Sequence, residues 1–474
     1  MFIPMSKDRK INEALNKLYQ GKWIYYPPTD NSGMWRAEVE INDINPLKVL
    51  TNLSALTNNL SYNTNYWSDR NQNIEIAGIG TAKILTSQQS CSFISVCKLI
   101  QETLGSNRQR FYGGFSFACQ NKQNRNDKLW NLFGTYRFVL PRIEIIRLKT
   151  LTILSCNFYL NESEFFEQIL SRTYNLLNES LKNKLDNNKD KRQKLNNFSE
   201  IIHLPDFDQW KNILNSSLAD LGRNLTEDDD PLLKVVLARR SSCPVDNSLS
   251  IYNLICELKK NDPQNFHFSM GLSDGTSFFG ATPERLLRLE DKVVETEAIA
   301  GTRPRGKTVE KDNQMKQNLL SSKKDLREHK FVHNNIKQNL NKICSEIFEE
   351  KEIKVRKLSN VQHLYTSFRG ILNPTDSLGE ILNLLHPTPA VGGYPQKGIV
   401  DFISNKEPFH RGWYAGPFGW VGINAAEFAV AIRSGLKNRN FLHLYAGNGI
   451  VEGSDPEAEW SEMNYKIQKL LHAI

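Results

Sequence analysis

Two pairs of carboxylates carry the first hint of chemistry: Asp325 and Glu328 in "KKDLREHKF", and Glu459 and Glu462 in "GSDPEAEWSEMNYKIQKLL". An i,i+3 spacing puts both members of a pair on one helical face, and two such faces can converge on one hard cation. Magnesium takes oxygen ligands in an octahedron and keeps several waters. Acids near a helix start also complement its dipole with no ligand at all, and Glu459, Glu462 and Lys466 share a face through ordinary spacing. Lys234 heads the apolar run "KVVLARR". It is either an edge lysine snorkelling to water or a desolvated amine suited to general-base work. Glu284 follows a proline in "GATPERLLRL", as an acid partner to such a base or as half of a salt bridge with a nearby arginine. Spacing leaves these alternatives open.

The elements that must position these groups are partly legible. The last helix starts near Pro456, with Asp455 or Ser454 as N-cap. Val332, Ile336, Leu340, Ile343 and Ile347 recur at helical spacing and predict one helix through "VHNNIKQNLNKICSEIFEE", packed on a sheet. In the first half "MWRAEVEI", "NIEIAGIGTAKIL", "RFYGGFSF", "WNLFGTYRFVLPRIEIIRL" and "TLTILSCNFYL" read as strands of a large antiparallel sheet. Residues 178–200, almost free of apolar anchors, read as an exposed polar insertion. They separate a β-rich part, residues 1–200, from a second part of the same fold, residues 201–474, that carries the candidate residues. The stretch "HPTPAVGGYPQ" (386–396) is too rich in proline and glycine for a helix or a strand interior, and holds a rigid turn around Ala390 and Val391. No internal repeat is visible, although a pseudo-twofold arrangement of two β-rich halves would leave no trace in such a reading.

Composition bounds the rest. The 474 residues, 39% hydrophobic, suffice for two or three domains or one large unit. The longest apolar runs are far short of a membrane span, and "MFIPMSKDRKINEALNK" turns charged too soon for a signal peptide, which points to a cytoplasmic or stromal protein. Seven cysteines without a CxxC pair argue against a disulfide framework or a zinc site. A net charge of +8 suits an anionic substrate or nucleic acid, but no aromatic-basic interleaving or recognition motif supports the latter.

Taken in order, "KVVLARR", "GATPERLLR", "ETEAIAGTRPRG", "DLREHKFV", "VQHLYTSFRG", "HPTPAVGG", "EPFHRGWYAGPFGWVG", "VAIRSG" and "YAGNGIVEGSDPEAEWSEMNYK" resemble the chorismate-utilising enzymes across residues 230–470. "YWSDR", "AGIG" and "RFYGGFSF" extend the likeness into the first half. The resemblance implies an α+β fold, with large antiparallel sheets in a sandwich-like core flanked by helices, whose residues 201–474 form the chorismate-binding catalytic part. It implies that Lys234 is the general base activating water at C2 of chorismate and that Glu284 is the general acid protonating the departing C4 hydroxyl. Glu328 and Glu462 match magnesium-binding glutamates, with Asp325 and Glu459 in support. Arg433 and Lys466, with the backbone at Gly447 and Gly449, match positions that hold substrate carboxylates. His363 matches the family's active-site histidine, and Thr302, Ala390 and Val391 fall at the substrate.

Within the family, "PTPAVGGYPQ" differs from the "PAGTxSGAPK" of amine-adding members, and Ala300 stands where aminodeoxychorismate synthases carry lysine. Both imply water as the nucleophile. Ala390 stands where salicylate-forming members carry threonine, which implies release of isochorismate for menaquinone or phylloquinone synthesis. The same-fold alternatives are a salicylate-forming or an aminating member. The resemblance further implies no redox cofactor, glutaminase subunit, nucleic-acid or membrane partner, and a monomer. Two positions depart from the family pattern: Asn448 replaces the usual alanine beside the carboxylate-binding backbone, and His410 replaces an aspartate.

Overall fold

Strands such as Phe266–Gly271 and Pro417–Val421 are buried at every position, so their sheets must be covered on both faces. The structure, a computed structural model, describes residues 24–26, 33–41, 43–56, 62–121, 128–159, 201–226, 230–358 and 361–473. The polar insertion expected at 178–200 lies outside them. Two antiparallel sheets pack through their aromatic and branched inner faces, with helices on the outside, as the α+β reading expects.

The 13-stranded sheet runs Ile24–Tyr26, Met34–Ile41, Thr152–Tyr159, Ile143–Leu148, Ile74–Ile79, Thr64–Ser68, Phe266–Gly271, Ser277–Thr282, Ser434–Asn438, Phe441–Ile450, Lys234–Pro244 and Ile202–Leu204, with Gly393–Tyr394 added beside the head of Lys234–Pro244. The 10-stranded sheet runs Cys344–Glu349, Val361–Leu372, Val293–Pro304, Arg285–Glu290, Ala425–Val430, Pro417–Val421, Phe111–Phe115, Tyr136–Leu140 and Lys83–Ser87, with Lys354–Lys357 also on Val361–Leu372. The 13-stranded order is palindromic about its centre, and the 10-stranded order is so over its six strands from Arg285–Glu290 to Lys83–Ser87. The strands from Met34–Ile41 to Thr64–Ser68 mirror those from Lys234–Pro244 to Phe266–Gly271, and the three on either side of the Pro417–Val421/Phe111–Phe115 junction mirror each other. Helices pair in the same way, Pro46–Leu56 with Ile251–Asn261 and Phe93–Thr103 with Leu378–Leu385. The chain is thus a topological pseudo-twofold of two β-rich halves. Residues 293–372 have no counterpart in this scheme and insert into the second half.

That insertion contains the helix Lys323–Ile343. Ser322 caps it, and His329, Val332, Ile336, Leu340 and Ile343 are buried. It stops at Ile343: Cys344–Glu349 leaves as an edge strand on Val361–Leu372, so Ile347 does not continue the helical stripe. Its four-residue spacing from Ile343 is coincidental, and the alternating exposure of "CSEIFE" suits a strand edge. The final helix, Pro456–Leu471, takes Asp455 as N-cap, whose Oδ1 accepts from the amides of Glu457 and Ala458. Among the described residues no helix is long and apolar enough to cross a membrane.

This ending of the helix predicts unequal costs. Leu340→Ala, in the buried stripe, lowers stability by about 3 kcal/mol, whereas Ile347→Ala, half-buried on the edge strand, costs about 1 kcal/mol, as read from urea unfolding midpoints.

Candidate active site

The head of the strand Lys234–Pro244 is closed in by the turn at 386–396. Val236 N donates to Gly392 O and Leu233 N to Tyr394 O, and Lys234 pairs with Tyr394. Arg411 ties turn to strand by donating to Val391 O at 2.9 Å and Val236 O at 2.7 Å, itself held by Glu407 at 2.6 Å. The Lys234 side chain is therefore fully buried, which removes the snorkelling alternative. Its Nζ donates to Glu328 Oε1 at 2.8 Å. Burial would raise the Glu328 carboxyl, but the Lys234 ammonium outweighs it and holds it below the usual carboxylate range. On the neighbouring strand Gly449 leaves room for the lysine, since a Cβ there would sit 2.7 Å from Lys234 Cε and push the end of that side chain aside.

Glu284 leaves the end of Ser277–Thr282 and is 7% exposed. Arg285, next in the chain, turns to Glu427 and Glu295, so the salt-bridge alternative is not realised. Instead Glu284 accepts from the Thr388 hydroxyl at 3.5 Å. Burial, with Glu297 adding repulsion, pushes its carboxyl up to about 8 against the pull of Lys234, Thr388 and Arg433. A carboxyl in that range still holds its proton at neutral pH.

Each of the four other carboxylates has a partner. Asp325 takes a fork from Arg303, 2.6 Å at Oδ2. Glu328 holds Lys234. Glu459 Oε2 accepts from Asn448 Nδ2 at 2.9 Å, and Glu462 accepts from Lys466 at 2.8 Å. Among the described residues no three Asp, Glu, His or Cys side chains form a closed metal cage. Magnesium binds through as few as one or two carboxylates and keeps its waters, so the chemistry of these oxygen donors suits it without a closed cage. Burial and the adjacent Glu462 raise the Glu459 carboxyl, a like-charge strain that a cation relieves.

The cationic positions separate into two kinds. Arg433, at a left-handed φ of 49°, has a guanidinium with no hydrogen bond among the described residues, and burial depresses it. Lys466 has all three donors engaged, by Asn448 Oδ1 at 2.6 Å, Glu462 at 2.8 Å and Gly447 O at 2.9 Å. Asn448, the departure from alanine, therefore bridges Glu459 and Lys466. His410, the other departure, accepts from Gly412 N at 2.9 Å, a turn-closing bond an aspartate could also make. His363 Nδ1 lies 3.1 Å from both Gly301 O and the hydroxyl of Thr302, which is exposed. A carbonyl only accepts, so Nδ1 carries the proton. Burial, with Arg433 nearby, drives the imidazole down to about 3, leaving a neutral ring whose buried Nε2 has no partner among the described residues. Ala390 is half-buried and Val391 buried in the turn.

Sequence reasoning missed Thr388, although it lies inside the quoted turn, and it missed the Glu407–Arg411 pair inside "EPFHRG". Their i,i+4 spacing was a signal for the latter.

A sequence model of the family described as chorismate binding enzyme matches residues 27–474. The chain belongs to that family. It is 33% identical over 416 residues to the chloroplastic isochorismate synthase of Catharanthus roseus, covering 85% of this chain and 69% of that one. It is 29% identical to the isochorismate synthase MenF of Bacillus subtilis, covering 86% and 87%. The structure of MenF, the menaquinone-specific isochorismate synthase of Escherichia coli, superposes with a TM-score of 0.79 at 26% identity over 98% of this chain and 100% of that one. In fold alone, the chain also resembles anthranilate synthase component I of Streptococcus pneumoniae, with a TM-score of 0.66 at 17% identity.

Two substitutions probe this packing. Gly449→Ala displaces Lys234 and lowers kcat by about 100-fold with an unchanged circular dichroism spectrum. Asn448→Ala frees Lys466 and Glu459, raising KM for chorismate about tenfold with a smaller effect on kcat.

Proposed function

We infer that the protein is an isochorismate synthase, converting chorismate to isochorismate for menaquinone or phylloquinone synthesis in the cytoplasm. The observation that carries this reading is a buried Glu284, hydrogen-bonded only weakly to Thr388 and raised by burial to about 8, with the buried Lys234 bearing on it. One group there can give a proton and another can take one. The likeness to isochorismate synthases of plants and bacteria supports the same assignment.

In the proposed mechanism Arg433 receives a substrate carboxylate, and Lys466 contributes its charge through the frame formed with Asn448 and Gly447. Lys234 acts as the base in the fraction of enzyme whose amine is unprotonated, taking a proton from the water that attacks C2. The ring double bond shifts, and Glu284 gives its proton to the C4 hydroxyl, which leaves as water. Water enters and water departs, so the oxidation level is unchanged. The neutral His363 leaves an Nε2 that can accept a hydrogen bond from the substrate, and it cannot serve as an acid at neutral pH. Ala390 and Val391 offer the ring small apolar surface without a hydroxyl, which supports release of isochorismate over pyruvate elimination. Glu328 and Glu462, backed by Asp325 and Glu459, would hold magnesium, which offsets the charge of a buried dianion when bound. We propose that the chain works as a monomer without a glutaminase subunit.

Chromatography of the product from chorismate and magnesium tests the reading: isochorismate is expected, and salicylate or anthranilate would overturn it. Lys234→Ala and Glu284→Ala abolish turnover without unfolding the chain, and Glu462→Ala raises the magnesium concentration required. The acid must carry its proton, so kcat falls as pH rises through about 8.

A further inference from the structure

The "YWSDR" segment of the first half has no part in the chemistry above, yet it reaches the acid. Asp69 Oδ1 accepts from Asn73 N at 2.7 Å and Ile74 N at 3.0 Å, closing the turn after Thr64–Ser68. Arg70, 8% exposed, extends from that turn into the second half. Its Nη1 donates to Pro283 O at 3.1 Å, and its two terminal nitrogens grip both oxygens of Glu297. Glu297, 4% exposed on Val293–Pro304, also accepts from Arg285 N at 3.0 Å. Pro283 and Arg285 flank Glu284. One buried pair thus holds the backbone on both sides of the acid, and a forked arginine–carboxylate contact is the most directional ion pair available.

We propose that Arg70 and Glu297 are positioning residues for Glu284, an ion pair built from both halves of the fold that fixes the acid's backbone and sets the charge it faces. The proposal rests on Glu284 being the general acid. Burial would raise Glu297, but Arg70, Arg356 and Arg285 outweigh it and keep the carboxylate ionised. A fixed anion at this place disfavours ionisation of Glu284. The other groups bearing on Glu284 are Lys234 from Lys234–Pro244, Arg433 after Ala425–Val430, Thr388 from the turn and Tyr414 before Pro417–Val421.

The test is the pH dependence of kcat in the full chain with magnesium and chorismate. Glu297→Gln removes the anion and leaves Arg70 uncompensated, so the alkaline limb moves down by about one unit. Arg70→Met leaves the anion less compensated, so the limb moves up. Both lower kcat at neutral pH by tenfold or more with little change in KM. Arg70→Lys, which keeps the charge but loses the fork, lowers kcat with the limb near its original position, and it stands in if Arg70→Met does not fold. Limbs that coincide with the unsubstituted enzyme in folded Glu297→Gln and Arg70→Met overturn the proposal, as does an unchanged kcat in Arg70→Lys. Retained turnover in Glu284→Gln would instead overturn the acid assignment on which it rests.

Discussion

A carboxyl keeps its proton at neutral pH when water is excluded from it and the cations around it are already answered by other anions. At Glu284 the first condition holds, and the second holds for Lys234 though not for Arg433. The residue is buried, Glu297 adds repulsion, and the cation opposing them, Lys234, is paired with Glu328. The same rule organises other buried carboxylates: Asp325 with Arg303 and Glu407 with Arg411. Unpaired buried charge costs several kcal/mol, so paired charges can be enclosed where single ones cannot. Arg433 is left without a hydrogen-bonded partner among the described residues, and a substrate carrying two carboxylates supplies one.

The fold makes this arrangement possible through the pseudo-twofold topology of its two halves. Both halves contribute strands in mirrored order, but only the second receives residues 293–372, which bring Glu328 against Lys234 and Glu297 beside Glu284. The first half also buries charge, in a self-contained way: Arg36 is held by Glu38 at 2.7 Å and Glu144 at 2.6 Å, and Tyr112 donates to Glu144 at 2.9 Å. Its contribution to the site comes from the junction between halves, where Arg70 crosses to Glu297.

What was legible in the sequence followed from local physics. Strand composition and the Asp455–Pro456 start of the last helix report on backbone preference within a few residues, and the structure bears them out. Ile347 misled because a four-residue spacing suits a helix even where the backbone pairs as an edge strand. Long-range order was invisible: the palindromic strand order depends on pairings between residues hundreds of positions apart, with no sequence repeat to announce it. The ordered motifs pointed to the candidate residues but not to their partners. Asn448 read as a disturbance at the carboxylate-binding backbone, whereas its amide joins Glu459 to Lys466. Thr388 was passed over for its apolar neighbours because a hydroxyl's direction cannot be read from a turn's composition.

The account stands on Glu284 being a neutral acid before substrate arrives. Infrared difference spectroscopy of the enzyme against Glu284→Gln observes this directly, since a protonated buried carboxyl has a carbonyl stretch distinct from a carboxylate's. The expected result is a protonated-carboxyl band at neutral pH, absent in the variant and lost on titration through about 8. A carboxylate band from Glu284 at neutral pH would contradict the account.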